Sequence, residues 1–338
     1  NFLSATRGNR SVCEDLALGF KSAGWSVITT SSRPGRIARL IDFLYTVWRQ
    51  RSRYKVAQVD VYSGFAFIWG ELVCLALRMI RKPFVLTLHG GNLPAFADRF
   101  GKRVQRLLVS SSAVTTPSAY LFEKMRPYRE DLVLIPNPLN LNKYPFRHRQ
   151  HPQPTLVWLR AFHDIYNPSL AVKVLASLVE KFSTAKLVMV GPNKGDGSYE
   201  AMLSLATKLG VQRRVICPGQ VAKDEIAHWL HRGDIFLNTT RVDNTPISVL
   251  EAMACGLCII STNVGGIPYL LQNESDALFV PSDDHGAMIK AVERLLTEEG
   301  LAGVLSRNAR RKVEQFDWSN ILPRWEKLLT KIATDNRL

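Results

Sequence analysis

Residues 243–260, DNTPISVLEAMACGLCII, decide the architecture of the second half of the chain. They follow IFLNTT, an apolar and β-branched run that predicts a buried strand, and they end in a second such run, LCII. Between the two runs, Thr245 is the expected N-cap of a helix and Pro246 its first residue, because proline lacks only an N–H that has no helical partner there. A strand, a helix and a strand in this order predict a βαβ unit of a parallel sheet.

Two carboxylates frame this predicted helix: Asp243 in the turn beyond the strand and Glu251 eight residues later. A helix N-terminus at the carboxyl edge of a parallel sheet binds anions, because its free N–H groups and its dipole point outward. Carboxylates repel phosphate but accept hydrogen bonds from hydroxyl groups. The stretch therefore predicts a ligand with both phosphate and hydroxyls, contacted by Asn244, Thr245, Pro246, Ile247, Ser248 and Glu251. The alternative is a capped core helix with one solvated and one salt-bridged acid.

Strand and helix patterns alternate along the whole chain. The strand patterns are WSVITTSS, VAQVDVYS, PFVLTLHGG, AVTTPS and LVLIPNP in the first half, and TLVWLRAF, KLVMVG, RRVICPG, IFLNTT, LCIISTN and ALFVP in the second. This alternation predicts an α/β fold with two Rossmann-like, doubly wound domains facing a central cleft.

The predicted N-terminal domain covers residues 1–150, and its first strand is missing from the pattern. The predicted C-terminal domain covers residues 155–315. The polar segment 145–154, which contains three prolines, is the expected linker. Residues 316–338 are expected to form a helix that crosses back to the first domain.

The composition is that of a globular protein in a reducing setting. The 338 residues are enough for about two domains of ordinary size, and no apolar run is long enough to span a bilayer. Five scattered cysteines argue against a disulfide framework and favour a cytoplasmic location. A start at Asn1, without a methionine, is compatible with a truncated N-terminus.

The net charge of +15 is concentrated in the first half. Residues 1–150 hold 23 Lys and Arg against 9 Asp and Glu, whereas residues 151–338 hold 21 against 20. Residues 33–55 are rich in arginine, and apolar side chains recur there at helical spacing: Ile37, Leu40, Ile41, Leu44 and Trp48. A basic amphipathic helix of this kind predicts a peripheral contact with an anionic membrane. The alternative is that the apolar face packs on the sheet and the arginines are solvated.

The opening stretch resembles the donor motif of the retaining glycosyltransferases of family GT4, which have the GT-B fold. That motif is an acid, seven residues, a glutamate, A-M-A-x-G, a strand and a Gly-Gly turn. Asp243, Glu251, AMACG at 252–256 and VGGIP at 264–268 match it in register. The departure is Asp243, where the family usually has glutamate. The resemblance implies that Glu251 holds the ribose of a nucleotide-sugar donor and that Asp243 holds the donor sugar.

The resemblance extends over nearly the whole chain. In LVWLRAF, Arg160 matches the arginine expected to clamp the donor diphosphate. The family normally has a lysine as second clamp a few residues later, but this chain reads HDIYNPSLA. The open alternatives are substitution by Asn167, His163 or Lys194, or a diphosphate held by fewer cations.

Other segments match the family's surroundings of the base, the sugar and the acceptor. The segments that contain Gly191 and Gly219 resemble those around the nucleotide base and ribose. His89 matches a position near the reacting sugar, although a lone histidine is often structural. The acceptor and phosphate loops implied by the resemblance contain Gly8, Asn9, Gly90 and Gly91.

The resemblance implies transfer of a sugar from a nucleotide diphosphate sugar to an acceptor hydroxyl, with retention of anomeric configuration. The implied catalytic residues are His89, Arg160 and Asp243, and the acceptor is a sugar or a lipid-linked molecule of polysaccharide or glycoconjugate synthesis. No cofactor, metal or nucleic acid is expected, and Cys255 with Cys258 is weak evidence for zinc. The alternatives are a nucleotide-sugar 2-epimerase of the same fold and a non-catalytic protein that binds carbohydrate or polyanions.

Overall fold

The computed structural model describes residue 2 and residues 11–335, which pack as two compact units. The first unit extends to Pro138 and takes up the chain again from Trp318, and the second unit is Leu139–Asp317. The division at Pro138 precedes the proline-rich segment 145–154, because Leu139, Leu141 and Tyr144 are buried in a core of the second unit.

The first unit is built on a parallel sheet in the order β1-β2-β3-β4. Its strands are β1 Ala57–Val61, β2 Phe84–Leu88, β3 Ala113–Thr116 and β4 Val133–Leu134. Its helices are α1 Val12–Ser22, α2 Arg36–Arg49, α3 Phe65–Met79, α4 Leu93–Val109, α5 Ala119–Met125 and α13 Trp318–Asp335. The connections from β1 to β2 and from β2 to β3 pass through helices, as parallel pairing requires.

Residues 25–32 were a predicted strand, and this prediction is wrong. None of the described strands pairs with this segment, although Trp25 and Val27 pack against an apolar core. The segment's backbone contact with the N-terminal residue of the described chain runs from the Phe2 N–H to the Ser31 carbonyl at 3.0 Å, and an extended segment is a strand only where a ladder of such bonds forms. The expected absence of a first strand falls mainly on residues 3–10, which lie outside the described part of the chain.

The second unit contains a parallel sheet of six strands. The strands are β5 Thr155–Leu159, β6 Lys186–Val190, β7 Val215–Gly219, β8 Ile235–Asn238, β9 Cys258–Thr262 and β10 Leu278–Val280. The helices are α6 Pro168–Lys181, α7 Ser198–Lys208, α8 Ile226–Leu230, α9 Ile247–Ala254, α10 Ile267–Leu270, α11 His285–Thr297 and α12 Leu301–Val313. The spatial order β10-β9-β8-β5-β6-β7 is that of a doubly wound sheet, whose winding reverses between β5 and β8.

Both faces of this second sheet are buried. Leu156 and Trp158 of β5 point into one apolar layer, and Val157 and Leu159 point into the other. This alternation follows from the period of two along a strand, and it explains why the strands are apolar throughout. The indole Nε1 of the buried Trp158 donates to Thr239 Oγ1 at 2.9 Å, so the one polar atom of that side chain is satisfied.

The C-terminal helix α13 packs with the first unit. Its Ile321, Trp325 and Ile332 share a core with Leu16 and Phe20 of α1. Gly19 of α1 faces α13, and a Cβ placed on Gly19 would collide with the indole ring of Trp318. The absence of a side chain at this position therefore permits the close packing.

We expect Gly19→Ala to weaken the packing of α13, because the added methyl group forces the Trp318 ring to move. Overpacking of this kind costs about 1–3 kcal/mol, which exceeds the gain in helix propensity of about 1 kcal/mol. The measurement is the free energy of unfolding in denaturant. Gly70→Ala is the control, because a Cβ in the middle of α3 meets only Val61 Cγ2 at 3.9 Å. Equal stability of the two variants would contradict the packing argument.

Candidate functional site

The candidate site lies at the carboxyl edge of the second sheet, where the winding reverses between β5 and β8. Arg160 is the residue after β5, and the segment 239–243 follows β8. Open α/β sheets bind ligands outside the carboxyl ends of their strands at such a switch point. The structure therefore brings Arg160 and Asp243 together from positions far apart in the sequence.

Arg160 and Asp243 form an ion pair between Nη2 and a carboxylate oxygen. The Arg160 guanidinium also lies over the ring of Tyr166, 4.3 Å from its centroid. Its Nε is buried and has no hydrogen-bond partner in the part of the chain that the structure describes. Buried polar atoms are rarely left unsatisfied, so this N–H calls for a partner that the described residues do not supply.

The Gly-Gly turn of the motif packs directly on the backbone of Asp243 and Asn244. A Cβ on Gly265 would collide with the carbonyl oxygen of Asp243, and a Cβ on Gly266 would collide with that of Asn244. Gly265 also has φ of 55°, a left-handed conformation that favours glycine. The Gly266 N–H donates to the Asp243 carbonyl at 3.0 Å. The two glycines therefore fix the position of the segment that carries Asp243.

Helix α9 begins one residue later than predicted. Its N-cap is Pro246, with no side-chain capping bond, so Thr245 is not the N-cap. The proline, held at φ of −70°, turns the chain into Ile247 while its ψ of 118° remains extended. The Ser248 Oγ in the first turn is buried and has no partner in the described residues. The helix start therefore contains a buried hydroxyl that needs a further partner, beside the first backbone N–H groups, which are the groups that an anion site uses.

Glu251 is buried one turn into α9, and it accepts a hydrogen bond from the Tyr144 hydroxyl at 2.7 Å. Burial of a carboxylate is costly unless it is hydrogen-bonded, and the phenol supplies one bond. Tyr144 was not predicted, since it lies near the start of a segment that reads as a linker. Its aromatic ring directly before that polar stretch is the sequence signal for this contact.

Gly191 and Gly219 lie at the ends of β6 and β7, beside Arg160. The Gly191 N–H donates to the Gly219 carbonyl at 2.9 Å, and Arg160 N donates to the Val190 carbonyl at 3.1 Å. A Cβ on Gly191 would collide with the carbonyl of Arg160. The structure therefore brings these two predicted residues to the same edge as Arg160.

The three candidates for the second clamp differ in their surroundings. Asn167 is buried, and its Nδ2 donates to Asp283 at 2.8 Å. His163 Nδ1 accepts from the N–H of Ile165 at 3.2 Å. Lys194 lies in an exposed loop after β6. None of these contacts selects one candidate.

A second cation at this edge was missed by the sequence reasoning. Arg241, two residues before Asp243, contacts Asp164 and Asp283, each at 2.9 Å. The hydrogen bonds from Arg241 hold the pKa of Asp283 below its ordinary value. An arginine directly after IFLNTT was the signal that could have revealed it.

His89 lies in the first unit, directly after β2, and its Nε2 is 3.0 Å from Asp60 Oδ1. The ring stacks on Tyr62 with centroids 5.2 Å apart. Burial disfavours ionisation of Asp60, but the charge and hydrogen bond of His89 outweigh it and lower the pKa of this carboxyl. Asp60 was not predicted, although an acid inside the apolar run VAQVDV was a usable signal.

The remaining predicted loop residues are only partly described. Gly90 has φ of 89° and follows His89, and Gly91 leads into α4. Gly8 and Asn9 lie outside the residues that the structure describes.

Cys255 and Cys258 are both buried and unpaired, and burial raises the pKa of each thiol to about 12. Within residues 11–335 no cluster of three His, Cys, Asp or Glu side chains is arranged to hold a metal.

The parallel sheets of the two units and the site at the switch point define a Rossmann-like α/β protein. The family model of "Glycosyl transferases group 1" matches residues 143–312, which contain the whole candidate site of the second unit. The chain therefore belongs to the group 1 glycosyltransferases. Of the helices within the described residues, none has the length and hydropathy of a bilayer span.

Two curated relatives cover most of the chain. One is the D-inositol 3-phosphate glycosyltransferase of Rhodococcus jostii, 23% identical over 83% of this chain and 68% of the relative. The other is the N-acetyl-alpha-D-glucosaminyl L-malate synthase of Bacillus anthracis, 27% identical over 78% of this chain and 72% of the relative.

Solved structures confirm the expected GT-B fold. Anabaena HepE in complex with UDP superimposes with a TM-score of 0.74 at 17% identity, over 92% of this chain and 88% of that one. Sucrose-phosphate synthase of Thermosynechococcus elongatus gives a TM-score of 0.76 at 18% identity, over 96% of this chain and 93% of that one.

We expect Gly265→Ala to disable the site while the fold survives. The new methyl group displaces Asp243, and a displacement of about 1 Å in an active site costs roughly 100-fold in rate. The measurement is turnover of a nucleotide-sugar donor, with circular dichroism as the check on folding.

Gly210→Ala is the matched control for this substitution. Gly210 has φ of 71°, so alanine meets a similar backbone strain there, but its Cβ enters open space. The control should lose some stability and keep full turnover. If Gly265→Ala also keeps full turnover, the Gly-Gly turn does not position the site.

Proposed function

We propose that this glycosyltransferase transfers a hexose from a nucleotide diphosphate sugar to an acceptor hydroxyl, with retention of anomeric configuration. The observation that carries the proposal is a pair of buried groups without hydrogen-bond partners among the described residues: Arg160 Nε at the end of β5 and Ser248 Oγ at the start of α9. Such groups call for a polar ligand. A diphosphate fits them, because guanidinium groups and helix N-termini both bind phosphate.

Departure of the diphosphate is the step that the site is suited to promote. Negative charge accumulates on the leaving group while the sugar gains positive character. Arg160 and the amides of Ile247 and Ser248 would stabilise that charge without reorganising, which is often the largest single contribution to catalysis. Asp243 would hold the donor sugar in place, and its ion pair with Arg160 couples sugar position to phosphate position.

Glu251 would bind the ribose hydroxyls, and Tyr144 would orient the carboxylate for that purpose through the 2.7 Å hydrogen bond. In the first unit, we propose that His89 orients the donor sugar or the acceptor, with Asp60 fixing its ring. Carboxylate partners of this kind set the tautomer and orientation of a histidine. Gly8, Asn9, Gly90 and Gly91 remain predicted acceptor and phosphate loops.

The proposed acceptor is a sugar or a lipid-linked molecule of polysaccharide, glycolipid or other glycoconjugate synthesis. The names of the curated relatives, D-inositol 3-phosphate glycosyltransferase and N-acetyl-alpha-D-glucosaminyl L-malate synthase, support transfer of a sugar to a polar acceptor. HepE, solved with UDP-glucose, supports a nucleotide-sugar donor. We propose a location at the cytoplasmic surface of a membrane, and we expect catalysis without a metal ion.

The function is tested by incubating the protein with a panel of nucleotide sugars and acceptors, with and without EDTA. Transfer is detected as nucleoside diphosphate release, and the anomeric configuration of the product is read by NMR. Sugar transfer with retention, unaffected by EDTA, is the expected result. Epimerisation without transfer would favour the 2-epimerase alternative, and binding of carbohydrate without either reaction would favour a non-catalytic protein.

We expect Arg160→Lys and Glu251→Gln to fail in different ways. Lysine keeps the charge but loses the planar fork, so turnover should fall by about 10²–10³-fold. Glutamine removes the buried negative charge, so nucleoside diphosphate affinity should fall by about tenfold or more. Calorimetry and steady-state kinetics separate the two effects. Glu299→Gln, at an exposed acid of the same unit, is the control, and identical behaviour of all three variants would refute the assigned roles.

A further inference from the structure

Helix α2 carries apolar side chains on two sides. Phe43, Leu44 and Val47 pack against the core of the first unit, so part of the predicted apolar face is indeed structural. A neighbouring stripe at helical spacing is exposed: Ile37 at 77%, Ile41 at 61%, Tyr45 at 51% and Trp48 at 59%. The packing alternative therefore accounts for only one side of this helix.

Helix α3 carries a second exposed apolar stripe. Its inner side buries Phe67, Val73 and Leu77. On its outer side five apolar residues recur at spacings of three and four: Phe65, Ile68, Leu72, Leu75 and Met79. Phe65 is 83% exposed and Met79 is 78% exposed. The helices α2 and α3 contact each other, and the Arg39 guanidinium lies over the Trp69 ring at 5.8 Å.

Basic side chains flank the exposed stripe of α2. Segment 33–55 contains one acid, Asp42, and its exposed cations are Arg33, Arg36, Arg49, Arg51, Arg53 and Lys55. Arg51 stacks over Trp48 at 4.6 Å, and Arg49 stacks over Tyr45 at 5.7 Å. The cations thus lie beside the exposed aromatic rings, where a lipid headgroup region would meet both.

An open groove beside α3 carries three arginines and one glutamate, Glu71. It is lined by Leu75 and Arg78 of α3 and by Arg103 and Arg106 of α4. Arg103 forms an ion pair with Glu71, in which Arg103 Nε donates to Glu71 Oε1 at 2.7 Å. Arg78 and Arg106 add two further positive charges to the groove, and Leu75 belongs to the exposed stripe. Apolar surface and anion-binding groups are therefore contiguous here.

We propose that the outer sides of α2 and α3 dock on an anionic lipid bilayer, with lipid phosphates held by Arg78 and Arg106. This inference extends the membrane location in the proposed function from residues 33–55 to a second helix and a groove. An apolar face edged by cations and containing Trp and Tyr suits the interface of an anionic bilayer. A second copy of this chain is the less suitable occupant, because two such surfaces would bring arginines of like charge together.

The test is flotation of the full-length protein with vesicles, in the absence of nucleotide. Vesicles of phosphatidylcholine alone are compared with vesicles containing 30 mol% phosphatidylglycerol (a composition of about one anionic lipid in three). The expected result is binding to the anionic vesicles only, reduced at high salt because screening weakens charge attraction.

Three double variants test the parts of the surface. Ile41→Gln with Trp48→Gln tests α2, Leu72→Gln with Met79→Gln tests α3, and Arg78→Gln with Arg106→Gln tests the groove. Each should weaken binding to anionic vesicles by about tenfold or more, because apolar burial and headgroup attraction both contribute. Leu203→Gln with Leu209→Gln, at exposed leucines of the second unit, is the control and should bind as the wild type does.

The outcomes separate this proposal from the proposed function. Normal vesicle binding by the α3 and groove variants would overturn the two-helix surface. A dimer in sedimentation that the same substitutions dissociate, without vesicle binding, would assign the surface to self-association and overturn the proposal. Vesicle binding by a protein that transfers no sugar would leave the docking surface standing and reject the proposed function.

Discussion

The candidate site depends on the close backbone contact between the Gly265-Gly266 turn and residues 243–244. No side chain larger than hydrogen fits at either glycine, because the Asp243 and Asn244 carbonyls occupy that space. The contact ties the loop after β9 to the loop after β8, and so it sets where Asp243 meets Arg160 from β5. Three loops at one sheet edge are thereby held in a fixed arrangement before any ligand binds.

The charges at this edge of the sheet suit the proposed ligand, which brings both phosphate and hydroxyl groups. Arg160 uses one nitrogen on Asp243 and leaves Nε unsatisfied, so the guanidinium can bind a phosphate without losing its position. Arg241 is shared between Asp164 and Asp283, which reduces the positive charge it offers a diphosphate. The amides at the start of α9 supply positive potential without any cation, which reduces the need for a lysine at the position that the family usually fills with one.

Much of the second unit could be predicted from the sequence, because its strands are buried on both faces and read as continuous apolar runs. The register of Asp243, Glu251 and the Gly-Gly turn was predicted from the family motif that the stretch resembles. The structure adds a physical reason for the two glycines, since the Asp243 and Asn244 carbonyls leave no room for a Cβ. Contacts that depend on the fold of distant segments could not be read. Tyr144 reaches Glu251 across 107 positions, and Asp60 reaches His89 across 29.

The first unit was harder to predict, for two physical reasons. Residues 25–32 have the composition of a strand, but the described part of the chain gives them a backbone contact from the Phe2 N–H to the Ser31 carbonyl at 3.0 Å, and assigns no strand there. Helix α2 has an apolar pattern wide enough to serve both a core and an exposed surface, so periodicity alone could not decide between membrane contact and packing. The structure shows that one helix does pack and also exposes a second stripe.

The central claim is that the switch point between β5 and β8 binds the diphosphate of the donor. The most direct measurement is a crystal structure of the full-length protein soaked with a nucleoside diphosphate. We predict diphosphate oxygens within hydrogen-bonding distance of Arg160 Nε and of the amides of Ile247 and Ser248. A nucleotide bound elsewhere, or an empty switch point at saturating nucleotide, would contradict the account.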